Sequence, residues 1–443
     1  MIKALIISYH YPPMNVIASR RAEAYSDFLH KHGIHPTVVT HRWEVLENQS
    51  NKNGKPKWKV WDRGNEVVYE DFKTYKVIRI PRYQSTLGKV VSITRGFPLL
   101  NKSLDLALWK SGHLDINDVD SYFNIRDFLW QHLKNNSYDI VIAIFTPHNH
   151  IRLGYEIKKK FKIPFVADYR DLWDNDLLHK TGVEIKASFG RKIFNNISLR
   201  FHRRWLRKSL FYTAVSQPIV NKISNLCNIP SGYCIKNGYE ANIFFKLERN
   251  QTEKFIILHG GTIYSAQELS GFISGLRLFY NNLEVKERQQ VSIIFLAIKN
   301  QDKQNEITEA LPELYINFIK RVPREEAIQL MKDASILFYP SWTTHNGIYS
   351  GKIFEYLGVQ NNILVIPSDH DVVEELINHT NSGLATDDPK VMYRYLLSNF
   401  RHWQKDNQAN YKGKPEVIKQ YSRESQVGKM ATLIKANLPD KYM

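Results

Sequence analysis

Cysteine is nearly missing from this chain of 443 residues, which has Cys227 and Cys234 and no others. Two cysteines build neither a disulfide framework nor a cysteine metal cluster, so a reducing compartment, the cytoplasm, is the expected location. Long apolar runs are missing too. None approaches the roughly 20 residues that a bilayer-spanning helix needs. The opening run MIKALIIS has too short an apolar core for a signal peptide and reads as a first strand. There is no Gly-x-Gly-x-x-Gly, which argues against an NAD-linked oxidoreductase. Acidic residues are missing from one long interval. Between Glu184 and Glu240 there is none, while ten basic residues occur: Lys186, Arg191, Lys192, Arg200, Arg203, Arg204, Arg207, Lys208, Lys222 and Lys236. With a formal net charge of +17 overall, a field of this sign attracts nucleic acid, anionic lipid or phosphorylated substrates. No nucleic-acid module accompanies it and no stacking pattern interleaves it, so no nucleic-acid partner is expected.

What is present is an ordinary globular composition, 43% apolar and 24% charged, in a chain long enough for two domains with substantial cores. Short apolar runs alternate with helical stretches: KALIIS, PTVVT, KVIRIP, DIVIAIF, FYTAVS, then KFIIL, VSIIFLA, SILFYP and NILVIP. This is the pattern of parallel α/β sheets. Residues 44–75 are polar and irregular and read as an insertion or a mobile loop. Residues 84–116 mix Val90, Val91, Ile93, Phe97, Leu99, Leu100 and Trp109 with Lys and Arg, which fits helices packed on the domain or a membrane-facing flap. From about Ser188 to Leu210 a basic helix is expected, with Phe189, Ile193, Ile197, Phe201 and Trp205 recurring every four residues. Such a helix either lies on an anionic membrane surface or packs inward with its basic heads in water.

Two stretches carry chemistry. Residues 347–367 run strand-adjacent loop, glycine, short helix, strand, with Gly351 and Lys352 opening the helix and Glu355 about one turn on. A helix N-terminus with a lysine receives an anion, and a carboxylate one turn away accepts bonds from ribose hydroxyls, a pairing that suits a nucleotide diphosphate. Read alone, Lys352 and Glu355 are equally an ordinary surface ion pair. Residues 164–173 form a strand ending in Asp168, Arg170 and Asp171 at the carboxyl edge of a sheet. These charges either brace the loop as an ion-pair network or bind something.

Residues 347–367 resemble the donor-binding segment of family 4 glycosyltransferases of the GT-B fold, written Gly-Lys-hydrophobic-aromatic-Glu-Tyr-Leu. The usual first Glu, eight residues before Glu355, is Gly347 here. Asp168-Tyr-Arg170-Asp171-Leu-Trp173 resembles the Asp-x-Arg-Asp-x-Trp run of relatives in surface-polysaccharide pathways. The resemblance implies an α/β protein of two Rossmann-like domains facing a cleft. Residues 1–240 would form the acceptor domain and 241–415 the nucleotide-sugar domain, with 416–443 a helix crossing back to the first. It implies donor binding by Gly260, Gly261, Thr262, Gly351, Lys352 and Glu355, although Tyr264 to Gln267 stand where many relatives carry a basic pair. Arg170 and Asp171 become catalytic candidates, with His148 from the Thr146–His150 loop, and His10 and Tyr11 lie on the acceptor side. The implied activity is transfer of a sugar from a nucleotide-sugar donor to a polysaccharide or lipid-linked acceptor, retaining, with no cofactor and no metal. It would take place in the cytoplasm or peripherally on an anionic membrane surface. The alternative is a GT-B-like partner protein that binds nucleotide without turnover, motivated by Gly347 and the missing basic pair.

Overall fold

The computed structural model describes residues 1–14, 16–50, 56–60, 66–112, 115–180, 189–244 and 247–439. The chain divides into two compact units. The first comprises residues 1–178, 184–236 and 427–443, and the second residues 179–183 and 237–426.

The first unit holds strands β1 (Ile2–Ile7), β2 (Ile34–His41), β3 (Trp43–Ser50), β4 (Pro56–Val60), β5 (Val68–Asp71), β6 (Lys76–Ile80), β7 (Ile140–Phe145), β8 (Phe165–Tyr169), β9 (Phe211–Ala214) and β10 (Tyr233–Cys234). Its helices are α1 (Ser19–Phe28), α2 (Thr86–Thr94), α3 (Pro98–Gly112), α4 (Val119–Asn135), α5 (His148–Phe161), α6 (Phe189–Leu206) and α7 (Gln217–Cys227). The main sheet has the order β10-β9-β8-β7-β1-β2-β6-β5, parallel except at the β5 edge. Every residue of β7 is buried, and of β1 only Lys3 is exposed, as expected for central parallel strands covered on both faces.

The second unit holds β11 (Phe255–Gly260), β12 (Val291–Leu296), β13 (Ile316–Ile319), β14 (Ile336–Tyr339), β15 (Asn362–Val365) and β16 (Gly383–Ala385), parallel in the order β13-β12-β11-β14-β15-β16. Its helices are α8 (Ala241–Phe244), α9 (Ser270–Asn281), α10 (Val285–Arg288), α11 (Gln301–Ala310), α12 (Arg324–Asp333), α13 (Gly351–Val359), α14 (Val372–Thr380), α15 (Pro389–Asp406) and α16 (Pro415–Lys419). The last helix, α17 (Arg423–Asn437), delivers Val427, Met430, Ala431 and Ile434 to the first unit's core beside Ile2, Ile34 and Val38.

In each sheet the chain winds outward from one strand and then returns to that strand's other side. The reversal lies between β1 and β7 in the first sheet and between β11 and β14 in the second. Loops at the carboxyl ends of strands flanking such a reversal diverge and leave a crevice.

One expectation changes, and one open alternative is narrowed. Residues 44–75 are not simply irregular: they carry β5 and the antiparallel pair β3–β4, whose register sets Glu44 opposite Lys59 and Val45 opposite Trp58. Residues 51–55 and 61–65 lie outside the described residues. Of the two readings of the α6 stripe, inward packing holds at Trp205, which is buried and meets Phe201 and His202, while Ile193 is 36% exposed. Arg203 donates to the carbonyls of Leu226 and Cys227, so part of the basic interval serves packing. Lys186, in the same interval, lies outside the described residues.

Candidate functional site

In the second unit the loops after β11 and β14 meet at the reversal point. β11 ends on His259 and Gly260, and Gly261 follows at φ +93°, a left-handed conformation that glycine alone enters without strain. A Cβ at Gly261 would stand 3.2 Å from the Lys352 side chain, so the backbone there approaches the lysine as closely as the chain allows. Lys352 opens α13. Its Nζ donates to the Thr262 carbonyl at 2.6 Å and lies 3.3 Å from His259 Nε2. His259 Nδ1 lies 2.9 Å from the Phe338 carbonyl and its Nε2 3.1 Å from the Gly261 carbonyl, so the neutral ring can donate to one of the two. Burial and the neighbouring Lys352 hold this imidazole neutral, with its pKa well below the ordinary value. Burial also pulls the Lys352 ammonium down to about 7, although Glu355 works in the opposite direction. No side chain caps α13 at Ser350, so its first N–H groups remain for an anion.

The rest of the motif turns inward. Tyr356, fully buried, accepts from the Gly260 N–H at 2.8 Å and donates to the Phe338 carbonyl at 3.3 Å, tying α13 to the end of β11. Glu355 faces Arg324 at 3.5 Å, and Arg324 also binds Glu240 at 2.7 Å. Glu240 in turn pairs with Arg423. Gly347 sits at φ +75° and its N–H donates to the Asp371 carboxylate. The position without the usual first Glu is therefore touched by a carboxylate from the next loop. Burial raises the Asp371 pKa. Beside this, a cavity of about 380 Å³ is lined by Lys180, Glu268, Ser270, Thr343, Ser368 and His370, with Asp387 at its rim. Of the six donor-side candidates, Gly260, Gly261 and Thr262 lie at the end of β11 and in the loop after it, Gly351, Lys352 and Glu355 lie on α13, and the Lys352 side chain joins the two groups. His259, Tyr356 and Arg324 were not singled out from the sequence. The signal for Tyr356 was its place in the Glu-Tyr-Leu run. His259 and Arg324 gave none beyond standing at the end of a strand and the start of a helix.

In the first unit the loops after β1, β7 and β8 carry the other candidates. The Asp168–Asp171 run divides. Asp168 is fully buried and accepts two bonds from Arg21 at 2.7 Å, one from Tyr25 at 3.0 Å and one from Thr213 at 2.5 Å. It is an internal brace, as the ion-pair-network reading expects. Arg170 and Asp171 stand at the edge instead, paired at 2.5 Å, with Asp171 46% exposed. Arg170 also reaches Thr146 in the loop after β7 at 3.4 Å.

His10 is half-buried with Tyr9 edge-on at 5.0 Å. Burial and then the Arg170 charge lower its pKa to about 4. His148 packs among Trp109, Phe145 and Phe194, and its Nδ1 lies 3.1 Å from His202 Nε2. His202 continues to the Tyr169 hydroxyl at 2.6 Å. Burial lowers the His148 pKa to about 3, so both imidazoles are neutral near pH 7. Tyr11, grouped with His10 on the sequence, instead packs in the core. Its hydroxyl bonds Ser26 at 2.8 Å and its ring faces the Arg79 guanidinium. A Tyr-His-Tyr loop does not reveal which ring turns inward; the apolar packing beside α1 takes Tyr11. The loop after β7 also supplies His150, which is buried. Its Nδ1 lies 3.2 Å from the Ile144 carbonyl, and among the described residues its Nε2 has no partner.

No protein-family model and no curated protein sequence matches the chain. Solved structures do. Sucrose-phosphate synthase from Thermosynechococcus elongatus superposes with a TM-score of 0.60 at 12% identity, over 98% of this chain and 99% of that one. A UDP-forming α,α-trehalose-phosphate synthase from Burkholderia xenovorans, in complex with glucose-6-phosphate, gives 0.61 at 11% identity, over 98% and 100%. HepE from Anabaena, in complex with UDP and glucose, gives 0.56 at 12% identity, over 98% and 100%. The chain therefore has the GT-B fold, an α/β architecture with two parallel-sheet domains. It shares that fold with nucleotide-sugar-dependent glycosyltransferases.

Proposed function

We propose that this protein is a glycosyltransferase of the family 4 type. It moves a sugar from a nucleotide-sugar donor to a polysaccharide or lipid-linked acceptor in surface-polysaccharide assembly. The observation that carries the reading is the approach of Lys352 to the Gly260–Thr262 loop at the second sheet's reversal point. A cation, an uncapped helix start and a glycine backbone in one place are what a leaving diphosphate needs. Glu355, one turn along the same helix, takes the ribose hydroxyls. On this reading Lys352, backbone amides and the α13 dipole meet the diphosphate charge, with no metal and no cofactor. Because HepE was captured with UDP and glucose, a UDP-sugar is the first donor to test.

On the acceptor side Arg170, Asp171, His10 and His148 form the candidate set, and Asp171 stabilises positive charge on an oxocarbenium-like sugar in a retaining transfer. The reaction takes place on the cytoplasmic side, with the enzyme peripheral to the membrane. The test is a thermal-shift panel of nucleoside diphosphates followed by turnover of the matching nucleotide-sugar. A saturating nucleotide at about 100 times its Kd contributes about 2.7 kcal/mol of stability, a readily measured shift. If no nucleoside diphosphate raises the melting temperature, the reading fails.

A second reading, nucleotide binding without turnover, is favoured by Gly347 and by Tyr264–Gln267 in place of a basic pair. Tight nucleotide binding by pure protein, with neither donor hydrolysis nor transfer, would select it.

A further inference from the structure

The first unit carries an apolar surface that neither sheet nor site uses. α2 buries Gly88, Val91 and Thr94, one side of the helix. The opposite side presents Val90 and Ile93, and the turn into α3 adds Phe97, Leu99 and Leu100. Ile93 is 69% exposed, Phe97 61% and Leu99 83%. Leu106, two turns along α3 from Leu99, continues the same face. Isolated exposed apolar residues are ordinary on protein surfaces, but a run of six on one helical corner is not.

The corner is held firmly. Ser85 receives α2's first turn and bonds Asp120 at 2.8 Å, and Asn124 exchanges two bonds with the Tyr83 backbone. Thr94 meets Asn101 across the turn at 3.1 Å. The far end of α3 is anchored by Trp109, packed on Phe194 and His148. Both roots are fixed in the unit while the tip is bare.

Charge indicates what covers it. From Phe72 to Leu104 the chain has no acidic residue and seven basic ones, of which Lys89, Arg95 and Lys102 lie on the corner and are exposed. Apolar side chains interleaved with cations fit an interface whose surface is anionic and whose interior is hydrocarbon. We propose that the α2–α3 corner is the element that docks this protein onto an anionic lipid bilayer. Ile93, Phe97, Leu99 and Leu100 enter the acyl boundary, and Lys89, Arg95 and Lys102 meet the lipid phosphates. This gives the peripheral placement of the proposed function its surface, and its test reads lipid binding alone, so it can fail while the transfer reading stands. It also moves the membrane contact away from α6, whose stripe packs inward at Trp205.

The test is co-sedimentation of the full chain with vesicles of phosphatidylglycerol and phosphatidylcholine, against phosphatidylcholine alone. Wild type should pellet with the anionic vesicles at low salt and be released by salt. The Phe97→Ser, Leu99→Ser, Leu100→Ser variant should partition at least about tenfold less, with an unchanged melting temperature. Lys89→Ser, Arg95→Ser, Lys102→Ser should abolish the preference for anionic vesicles. Arg204→Ser with Arg207→Ser, on and just past α6, should bind as wild type does. Wild type remaining in the supernatant, or the apolar variant pelleting undiminished, would overturn the proposal. So would a dimer in light scattering that the apolar variant converts to monomer without vesicle binding, since the corner would then belong to a second copy of the chain.

Discussion

On the donor-site reading proposed above, Lys352 should make nucleotide binding a proton-coupled event. Its pKa in the free protein is about 7, against an ordinary value of 10.5, because burial disfavours the ammonium. A diphosphate beside Nζ favours the charged form and raises that pKa again. Below pH 7 the lysine is mostly charged already, and its own contribution to the pH dependence fades. At pH 8 roughly one molecule in ten carries the charge beforehand, and at pH 9 roughly one in a hundred. The dissociation constant should then rise about tenfold between pH 8 and 9, with close to one proton taken up per nucleotide bound. Titration of the phosphate itself, with a pKa of about 6, lies below this window. Calorimetry in two buffers of different ionisation enthalpy measures the uptake directly. Lys352→Arg should flatten the profile, since the guanidinium stays charged throughout. Lys352→Met should bind weakly at every pH. In the absence of nucleotide the same Met variant should melt higher than wild type, and by more at pH 6 than at pH 9. The burial cost of the wild-type ammonium is complete below its folded pKa and declines as pH rises towards 10.5. A dissociation constant that stays constant from pH 7 to 9, or binding with no proton uptake, would refute the reasoning.

Three further outcomes are expected. Glu355→Ala should weaken nucleotide binding by about 1–3 kcal/mol through lost ribose hydrogen bonds, measured by calorimetry; unchanged affinity would remove Glu355 from the donor site. Asp171→Asn preserves shape and removes charge, so turnover should collapse while nucleotide affinity holds, and near wild-type turnover would reduce Asp171 to a partner of Arg170. Arg21→Met leaves the fully buried Asp168 charge without its bidentate partner and should cost about 3–5 kcal/mol in chemical denaturation.

Much of this was legible because parallel strands announce themselves. The run SILFYP became β14 at Ile336–Tyr339, NILVIP became β15 at Asn362–Val365, and the short helix opened by Gly351 and Lys352 is α13 at Gly351–Val359. A continuous apolar run bounded by polar loops has few other fates in a chain this long. What sequence pattern could not convey was direction. Tyr11 and His10 are neighbours in one loop, yet Tyr11 turns into the core and His10 towards Arg170. Asp168 and Asp171 read as one acidic edge, but Asp168 lies within β8, where every residue is buried, and pairs with Arg21, while Asp171 lies past the strand's end. The stripe on α6 had the correct period and left open which medium it faced. Residues that meet only through tertiary structure, such as His259 beneath Lys352 or Arg324 beside Glu355, carry no local signature at all.

The placement of α17 has a consequence for how the protein is made. Synthesis proceeds from the amino end, and the second unit has all of its residues once Gln426 has been added. The first unit, begun far earlier, still lacks Val427, Met430, Ala431, Ile434 and Leu438, which fill its core next to Ile2 and Ile34. The half of the molecule that emerges first is therefore the half that matures last. Through the whole synthesis of its companion its sheet, complete at Cys234, lacks the helix that packs beside Ile2 and Ile34, and that apolar surface stays open until α17 is made.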